Sequence, residues 1–182
     1  MALTPSTMIP LGTPMPDFRL PDAAGNLHSS DALPHQPILV AFICNHCPYV
    51  KHIAPALSEF AREYQKAGLT VIAINSNDFE TYPDDSPEQM QKEIVARGYT
   101  FPYLVDESQA VARAFGAACT PDFFLFDKDR KLAYRSQFDS SRPGSGEAAS
   151  GHDLRAAADA VLAGQKPGEE QTPSMGCNIK WK

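Results

Sequence analysis

An unbroken apolar run that passes directly into a Cys-x-x-Cys motif is the feature that most limits how this chain can fold. The run Pro37–Cys44, P-I-L-V-A-F-I-C, is rich in β-branched residues and is typical of a strand buried on both faces. From Pro48 to Gly68 the spacing becomes helical. The apolar positions of this stretch are Val50, Ile53, Leu57, Phe60, Ala61 and Tyr64. A second apolar strand is predicted at 69–74, which completes a right-handed strand-helix-strand unit.

A second helix is marked by a capping signal. Ser86 is the predicted N-cap, Pro87 the first helical residue and Gln89 the capping-box partner, and Gly98 ends the helix. The pattern therefore predicts a helix over 87–97.

The remaining elements are shorter. We expect a strand or extended segment at 101–105, a helix at 109–115 ended by Gly116, and an antiparallel hairpin of strands 123–127 and 131–138. By composition, residues 139–151 form a flexible loop. A last helix carries Leu154, Ala157, Ala158, Val161 and Leu162 on one face, and one early strand is predicted at 17–20.

The order of these elements predicts a single domain. A chain of 182 residues has the length of one ordinary domain, divided here into an N-terminal extension (1–36), a core (37–163) and a loop-like tail (164–182) that docks through Ile179 and Trp181. A βαβ half followed by a ββα half, with Cys-x-x-Cys where the first strand meets the first helix, is the thioredoxin arrangement. The predicted fold is therefore α/β and thioredoxin-like, with a central mixed sheet flanked by helices.

Composition excludes several function classes. The net charge is -6 with no run of Lys or Arg, so neither nucleic acid nor an anionic membrane is an expected partner. No apolar stretch is long enough to cross a bilayer and the N-terminus lacks a positively charged leader, so a cytoplasmic location is expected. In a reducing compartment the four cysteines are catalytic, metal-binding or plain thiols rather than a disulfide framework.

The position of the Cys-x-x-Cys motif favours thiolate chemistry. An ordinary cysteine, with a pKa of about 8.5, is mostly protonated at neutral pH, and a helix N-terminus lowers that pKa. Pro48 disfavours helical backbone at Cys47 and is itself preferred at the first helical position, so Cys47 is the expected N-cap. Cys44 lies at the strand end with less help from the helix, and His46 can add positive charge. We therefore predict that Cys47 attacks and that Cys44 is its partner.

The motif resembles those of known redox families. Thioredoxins read C-G-P-C-K-x-I-A-P, and aligning I-A-P at 53–55 puts their nucleophile on Cys47, whereas aligning the two Cys-x-x-Cys motifs puts it on Cys44. Peroxiredoxins carry T-x-x-C-P, which matches Cys47-Pro48 but places Cys44 where that family has threonine and Val40 where many members have proline. Two of the three comparisons favour Cys47.

The fuller resemblance is to peroxiredoxin-like, AhpC/TSA-related proteins of the thioredoxin fold. It covers most of the chain and rests on six segments: C-N-H-C-P-Y-V-K-H, I-N-S-N-D, F-P-Y-L-V-D-E, T-P-D-F-F-L-F-D, H-D-L and P-S-M-G-C-N-I-K-W. In this family the pair matched by Thr120-Pro121 contains a cis-proline that faces the active cysteine and holds the substrate. The resemblance therefore implies that Thr120 and Pro121 belong to the site.

Several other residues have two open interpretations. His46 either tunes the thiolate or is a solvated loop histidine. Cys119 is a core residue more often than a redox partner. Cys177 either resolves an oxidised Cys47 or packs beneath Trp181, with packing preferred. Arg142 is expected to be solvated rather than to orient a peroxide.

Three functions compete. The first is a cytoplasmic thiol-disulfide oxidoreductase, with Cys47 attacking, Cys44 resolving and protein disulfides or dithiols, or a small thiol reductant, as partners. The second is an antioxidant thiol peroxidase in which Cys47 becomes a sulfenic acid. The third is a Cu(I) or zinc module like the thioredoxin-fold copper-delivery proteins, using Cys44, Cys47 and one of His46, His52 or His152. We favour the first and expect no cofactor and no bound metal.

Overall fold

The computed structural model describes residues 2–182, and its centre is a five-stranded mixed sheet. The helices are α1 (Pro48–Lys66), α2 (Pro87–Arg97), α3 (Ala110–Phe115) and α4 (His152–Leu162). The strands are β1 (Leu3–Pro5), β2 (Arg19–Pro21), β3 (Leu27–Ser29), β4 (Ile38–Phe42), β5 (Thr70–Asn75), β6 (Tyr103–Val105), β7 (Cys119–Thr120), β8 (Asp122–Phe126), β9 (Leu132–Tyr134) and β10 (Met175–Asn178). The central sheet has the order β6-β5-β4-β8-β9, and the predicted mixed α/β fold is confirmed.

Strand β4 lies in the middle of the sheet because every one of its residues is apolar and buried. It is parallel to β5 and antiparallel to β8. Leu39 and Ala41 face one apolar layer, and Ile38, Val40 and Phe42 face the other. This alternation follows from the two-residue period of a strand, and it covers both faces as the apolar run predicted.

Helix α1 packs along one face of the sheet and begins where the sequence predicts. Pro48 is its first residue, and the buried side of the helix contains all six of the predicted apolar positions. On the same face of the sheet, Leu154, Ala157, Ala158 and Val161 anchor α4. The opposite face is covered by α3 and the N-terminal segment, which contributes Met15, Phe18 and Leu20.

The capping signal of α2 is half confirmed. Ser86 is the N-cap and its Oγ accepts a hydrogen bond from the backbone N–H of Gln89, at 3.4 Å. The backbone N–H of Ser86 donates to the carbonyl of Pro83 instead of to the Gln89 side chain, because residues 83–85 form a 3₁₀ turn directly before the helix. Gly98 ends the helix in the left-handed region, with φ 67°.

A second sheet, β1-β10-β7, joins the two ends of the chain. The prediction of a loop-like tail was wrong here, since Met175–Asn178 form a strand between β1 and β7. Strand β9 ends at Tyr134 rather than at residue 138. Beyond it the backbone turns toward the tail, where the N–H of Gln137 donates to the carbonyl of Thr172. The predicted early strand pairs as β2 with β3 across the D-A-A-G-N turn.

The loop at 139–151 is held at its ends. Asp139 accepts hydrogen bonds from the backbone N–H groups of Ser150 and Gly151, both at 2.7 Å. Among residues 2–182 there is no helix with the length and apolar content needed to span a bilayer.

Candidate active site

Cys47 is the N-cap of α1 and is completely buried. Its backbone is extended, with φ -67° and ψ 125°, because Pro48 follows it at the first helical position. The side chain is 0% exposed, and that of Cys44, at the end of β4, is 3% exposed. The predicted N-cap position is therefore what the structure shows.

A third sulfur approaches Cys47 from the tail. The Sγ of Cys177 lies 2.7 Å from the Sγ of Cys47. The carbonyl oxygen of Thr120 is 3.3 Å from the Sγ of Cys47, and the Thr120 hydroxyl is 3.4 Å from the Sγ of Cys44. Cys44, Cys47, Cys177 and Thr120 thus form one buried cluster.

This cluster favours a thiolate at Cys47. A hydrogen bond from Cys44 is the largest contribution that lowers the pKa of Cys47, to about 5, against the opposing effect of burial. The thiol of Cys177, the backbone N–H of Val50 and the Thr120 hydroxyl lower it further. The hydrogen bond to Cys47 raises the pKa of Cys44 well above its ordinary value, and burial raises that of Cys177 to about 12. At neutral pH a single negative charge therefore resides on Cys47.

His46 is paired with a buried carboxylate. Its Nδ1 lies 2.5 Å from Oδ2 of Asp85, which is 0% exposed. This hydrogen bond raises the pKa of His46 above 6.5. Burial alone would raise the pKa of Asp85, but hydrogen bonds from His46, Asn77 and the backbone of Asn45 hold it below its ordinary value. The negative charge of Cys47 raises the pKa of His46 further, and His46 is a half-buried partner of Asp85 rather than a solvated loop residue.

The segment before β8 closes the other side of the cluster. The Thr120–Pro121 peptide bond is cis. Strand β7 pairs with β10 in a register that places Cys177 opposite Thr120 and Asn178 opposite Cys119. A Cβ at Gly176 would lie 2.7 Å from the carbonyl carbon of Thr120 and closer still to its oxygen, so only glycine allows this approach.

Comparisons with known proteins identify the family of this chain. Residues 11–135 match the model of the AhpC/TSA family. The chain belongs to the AhpC/TSA family. It is also 28% identical over 129 residues to the thiol-disulfide oxidoreductase ResA of Geobacillus thermodenitrificans, covering 71% of this chain and 70% of that protein.

Two solved structures extend the comparison. A hypothetical protein from Sinorhizobium meliloti 1021 is 54% identical, with a TM-score of 0.96 over 98% of each chain. A secreted Mycobacterium tuberculosis disulfide oxidoreductase homologous to DsbE has a TM-score of 0.60 at 18% identity, over 81% of this chain and 95% of that one. The second likeness is one of fold alone. The AhpC/TSA match ends before β10, so Cys177 lies outside the matched segment.

Other candidate residues of this AhpC/TSA-family chain bond to groups outside the sulfur cluster. The Sγ of Cys119 contacts the carbonyl of Pro121 at 3.6 Å, and burial together with Asp122 raises its pKa. His52 bonds the Ser141 hydroxyl, and His152 is exposed at the start of α4. Neither histidine contacts the thiols.

Two interpretations of this AhpC/TSA-family sequence were wrong. The Sγ of Cys177 faces Cys47, whereas the Trp181 ring lies 4.5 Å from the Arg113 guanidinium, so packing beneath Trp181 is not the role of Cys177. Arg142 is half-buried instead of solvated. Its guanidinium donates to the carbonyls of Asp139 and Ser141 and to the side-chain oxygen of Gln137.

The main site residue that sequence analysis missed in this family member is Asp85. In the sequence it stands in P-D-D, directly before a helix, and so looks like an ordinary turn acid. Its carboxylate accepts hydrogen bonds from the backbone N–H groups of Asn45 and His46 and from the Asn77 side chain. The signal that could have identified it is the segment I-N-S-N-D, whose Asn77 also contacts the tail at Lys180.

The metal alternative fits this AhpC/TSA-family site poorly. Donor atoms of Cys44, His46 and Asp85 lie within 4.8 Å of one another. The His46 and Asp85 atoms are, however, in direct hydrogen-bond contact at 2.5 Å, whereas two such ligands on a tetrahedral zinc are about 3.4 Å apart, given bonds of about 2.0–2.2 Å. A metal would also require Cys44 to lose its proton, and the pKa of Cys44 is raised.

Proposed function

We propose that this protein is a thiol-disulfide oxidoreductase in which Cys47 is the attacking thiolate. The observation that carries the proposal is a buried N-cap cysteine with a pKa of about 5 that is hydrogen-bonded by two protonated thiols. A thiolate is the nucleophile in disulfide exchange, and a second thiol nearby completes the two-electron reaction. The similarity to ResA, a thiol-disulfide oxidoreductase, supports the same chemistry.

The reaction needs two exchanges. The Cys47 thiolate attacks one sulfur of a substrate disulfide, forms a mixed disulfide and releases the other substrate sulfur as a thiolate, which takes up a proton. Cys44 then loses its proton and attacks the Cys47 sulfur, releasing the second substrate thiol. The substrate has gained two electrons, and the protein holds a Cys44–Cys47 disulfide that a dithiol or small thiol must reduce.

Each neighbour of Cys47 has a distinct role in this scheme. Thr120 and Pro121 form the wall along which the substrate sulfur arrives. His46, protonated through Asp85, stabilises the Cys47 thiolate electrostatically. Because stabilising the thiolate favours the reduced form, the couple is expected to be more oxidising than that of thioredoxin. Partners in the reducing cytoplasm would be protein disulfides or dithiols.

The experiment is a thiolate titration combined with disulfide mapping. The ultraviolet thiolate absorbance of wild type and of Cys44→Ser, Cys47→Ser, Cys119→Ser and Cys177→Ser is recorded against pH. The same proteins are then treated with a sub-stoichiometric small disulfide and mapped by mass spectrometry. The proposal expects the thiolate transition near pH 5 to be absent from Cys47→Ser, to move to higher pH in Cys44→Ser and Cys177→Ser, which each lose a thiol bonded to Cys47, and to stay in place in Cys119→Ser. An acidic transition retained in Cys47→Ser would reject it.

A thiol peroxidase is the second candidate, and the Cys47–Cys177 contact favours it. The thiolate would attack a hydroperoxide, giving a sulfenic acid at Cys47 and an alcohol or water. The Cys177 thiol would then displace water to form a disulfide. Against it, Cys44 stands where peroxiredoxins have a threonine. Hydrogen peroxide that oxidises Cys47 much faster than a small disulfide does would favour the peroxidase.

A further inference from the structure

The tail lies on the strand edge closest to the active thiols. β10 adds to the edge of β7 and brings Cys177 to the Sγ of Cys47. Extended polypeptides commonly bind proteins in this way, with main-chain hydrogen bonds supplying affinity and side-chain positions supplying specificity. Geometrically, β10 therefore occupies the place of an incoming peptide with a cysteine.

The pairing of β10 with β7 leaves no space for a side chain at one residue of β10. Gly176, directly before Cys177, passes so close to the Thr120 carbonyl that any β-carbon would overlap it. A strand residue at this point that carries a side chain would force the peptide away from β7, and its cysteine away from Cys47. The edge therefore selects a glycine immediately before the reacting cysteine.

The tail also closes the site. With β10 in place, the sulfurs of Cys44, Cys47 and Cys177 are all buried, so a cysteine of another protein cannot reach them. Polar contacts hold the tail beyond Cys177. The N–H of Ile179 donates to the Ala118 carbonyl at 3.1 Å, and the N–H of Lys180 donates to Oδ1 of Asn77 at 2.8 Å. A partner can therefore pair with β7 only after β10 separates from both β7 and β1.

We propose that the β7 edge is a docking surface for an extended polypeptide containing Gly-Cys, and that β10 occupies it as an internal stand-in for that substrate. The proposal rests on the proposed function and adds its substrate class. After the tail leaves, the partner segment pairs with β7 and the Cys47 thiolate attacks its disulfide-bonded cysteine. A disulfide forms between Cys47 and the cysteine of the docked segment. The sulfur that was previously bonded to that cysteine leaves as a thiolate and is protonated.

Synthetic peptides provide the test. One has the sequence of residues 173–180, P-S-M-G-C-N-I-K, as a symmetric disulfide, and a second replaces its glycine by alanine. The third oxidant is bis(hydroxyethyl) disulfide, a small molecule without a polypeptide backbone that could pair with β7. Rate constants for oxidation of Cys47 by each are measured on wild type, on Gly176→Ala, and on Gly168→Ala, a tail glycine whose β-carbon would meet nothing within 4 Å.

The glycine peptide is expected to react at least about tenfold faster than the alanine peptide, a ratio that corresponds to a steric cost of about 1.4 kcal/mol at the Thr120 carbonyl. Gly176→Ala loosens the tail through the same steric clash, so the rate constant for oxidation by the glycine peptide should rise by about tenfold in this variant. In Gly168→Ala the rate constant should equal that of wild type. Equal rates for the two peptides would overturn the proposal.

The rate constants of the two peptides on wild-type protein test the proposal even if Gly176→Ala fails to fold, which circular dichroism would show. Failure of this proposal is also distinguishable from failure of the proposed function. If bis(hydroxyethyl) disulfide does not oxidise Cys47, the oxidoreductase function is wrong. If it does and the peptides react equally, only the Gly-Cys docking surface is wrong.

Discussion

The Sγ atoms of Cys47 and Cys177 lie 2.7 Å apart, although 130 residues separate the two cysteines in the chain. A sulfur this close is positioned to bond with Cys47 once either sulfur is oxidised. The pair therefore links the redox state of the thiols to the attachment of the tail.

Mild oxidation of the Cys44→Ser variant should produce a Cys47–Cys177 disulfide. Closing a loop of about 130 residues removes entropy from the unfolded chain, so the oxidised form should be more stable by about 4–5 kcal/mol. Urea unfolding of oxidised and reduced protein measures the difference. In the double variant Cys44→Ser/Cys177→Ser the two curves should coincide. Oxidised protein no more stable than reduced protein would contradict the expectation.

Removal of the Cys44 thiol should raise the pKa of Cys47. In Cys44→Ala the largest favourable hydrogen bond to the thiolate is lost, so the midpoint of the thiolate absorbance should move from about 5 toward the ordinary value of about 8.5. Cys119→Ala is the matched control, because it removes a buried thiol that does not bond Cys47. A midpoint that moved equally in both variants would show that the contact with Cys44 is not the cause.

Asp85→Asn should abolish the raised pKa of His46, which nuclear magnetic resonance of the imidazole protons measures directly. The wild-type pair stabilises the fold most between the unfolded pKa values of the two groups, about 3.9 for an aspartate and about 6.5 for a histidine. The His46 contribution is complete below its unfolded pKa of about 6.5 and is lost as pH rises through the folded value. The Asp85 contribution is lost as pH falls through its depressed pKa.

Asp85→Asn should also destabilise the protein by about 1–3 kcal/mol at neutral pH. The asparagine amide cannot accept every hydrogen bond that the Asp85 carboxylate accepts, so buried donors are left unsatisfied. Asp84→Asn alters the exposed neighbouring carboxylate and should leave both the His46 titration and the unfolding curve unchanged. If Asp84→Asn had the same effect as Asp85→Asn, the change would reflect general charge rather than the hydrogen bond.

The end of the 139–151 loop offers a packing test. Gly151 has φ 73°, and a β-carbon there would lie 2.6 Å from the Phe138 ring, so Gly151→Ala should cost about 2–4 kcal/mol from steric overlap and backbone strain together. Gly146 shares the left-handed backbone, with φ 80°, but has open space around it. Gly146→Ala should therefore cost only the strain, about 1 kcal/mol. Thermal unfolding compares the two variants.

Much of the fold was predictable because its signals are local. The apolar run at β4, the helical spacing after Pro48 and the N-cap role of Cys47 all follow from neighbouring residues. The strand β10 was missed because M-G-C-N carries no apolar pattern and its partners lie at 3–5 and 119–120. Asp85 was missed because its importance depends on His46 and Asn77, which only the folded chain brings to it.

The second sheet has a consequence during synthesis. Cys47 leaves the ribosome 130 residues ahead of Cys177, an interval of roughly 6–26 s at about 5–20 residues per second. Throughout that interval the nascent chain has no β10 to cover its motif, so Cys47 is exposed to every thiol and oxidant near the ribosome. The chain therefore meets its greatest risk of a wrong disulfide before it is complete.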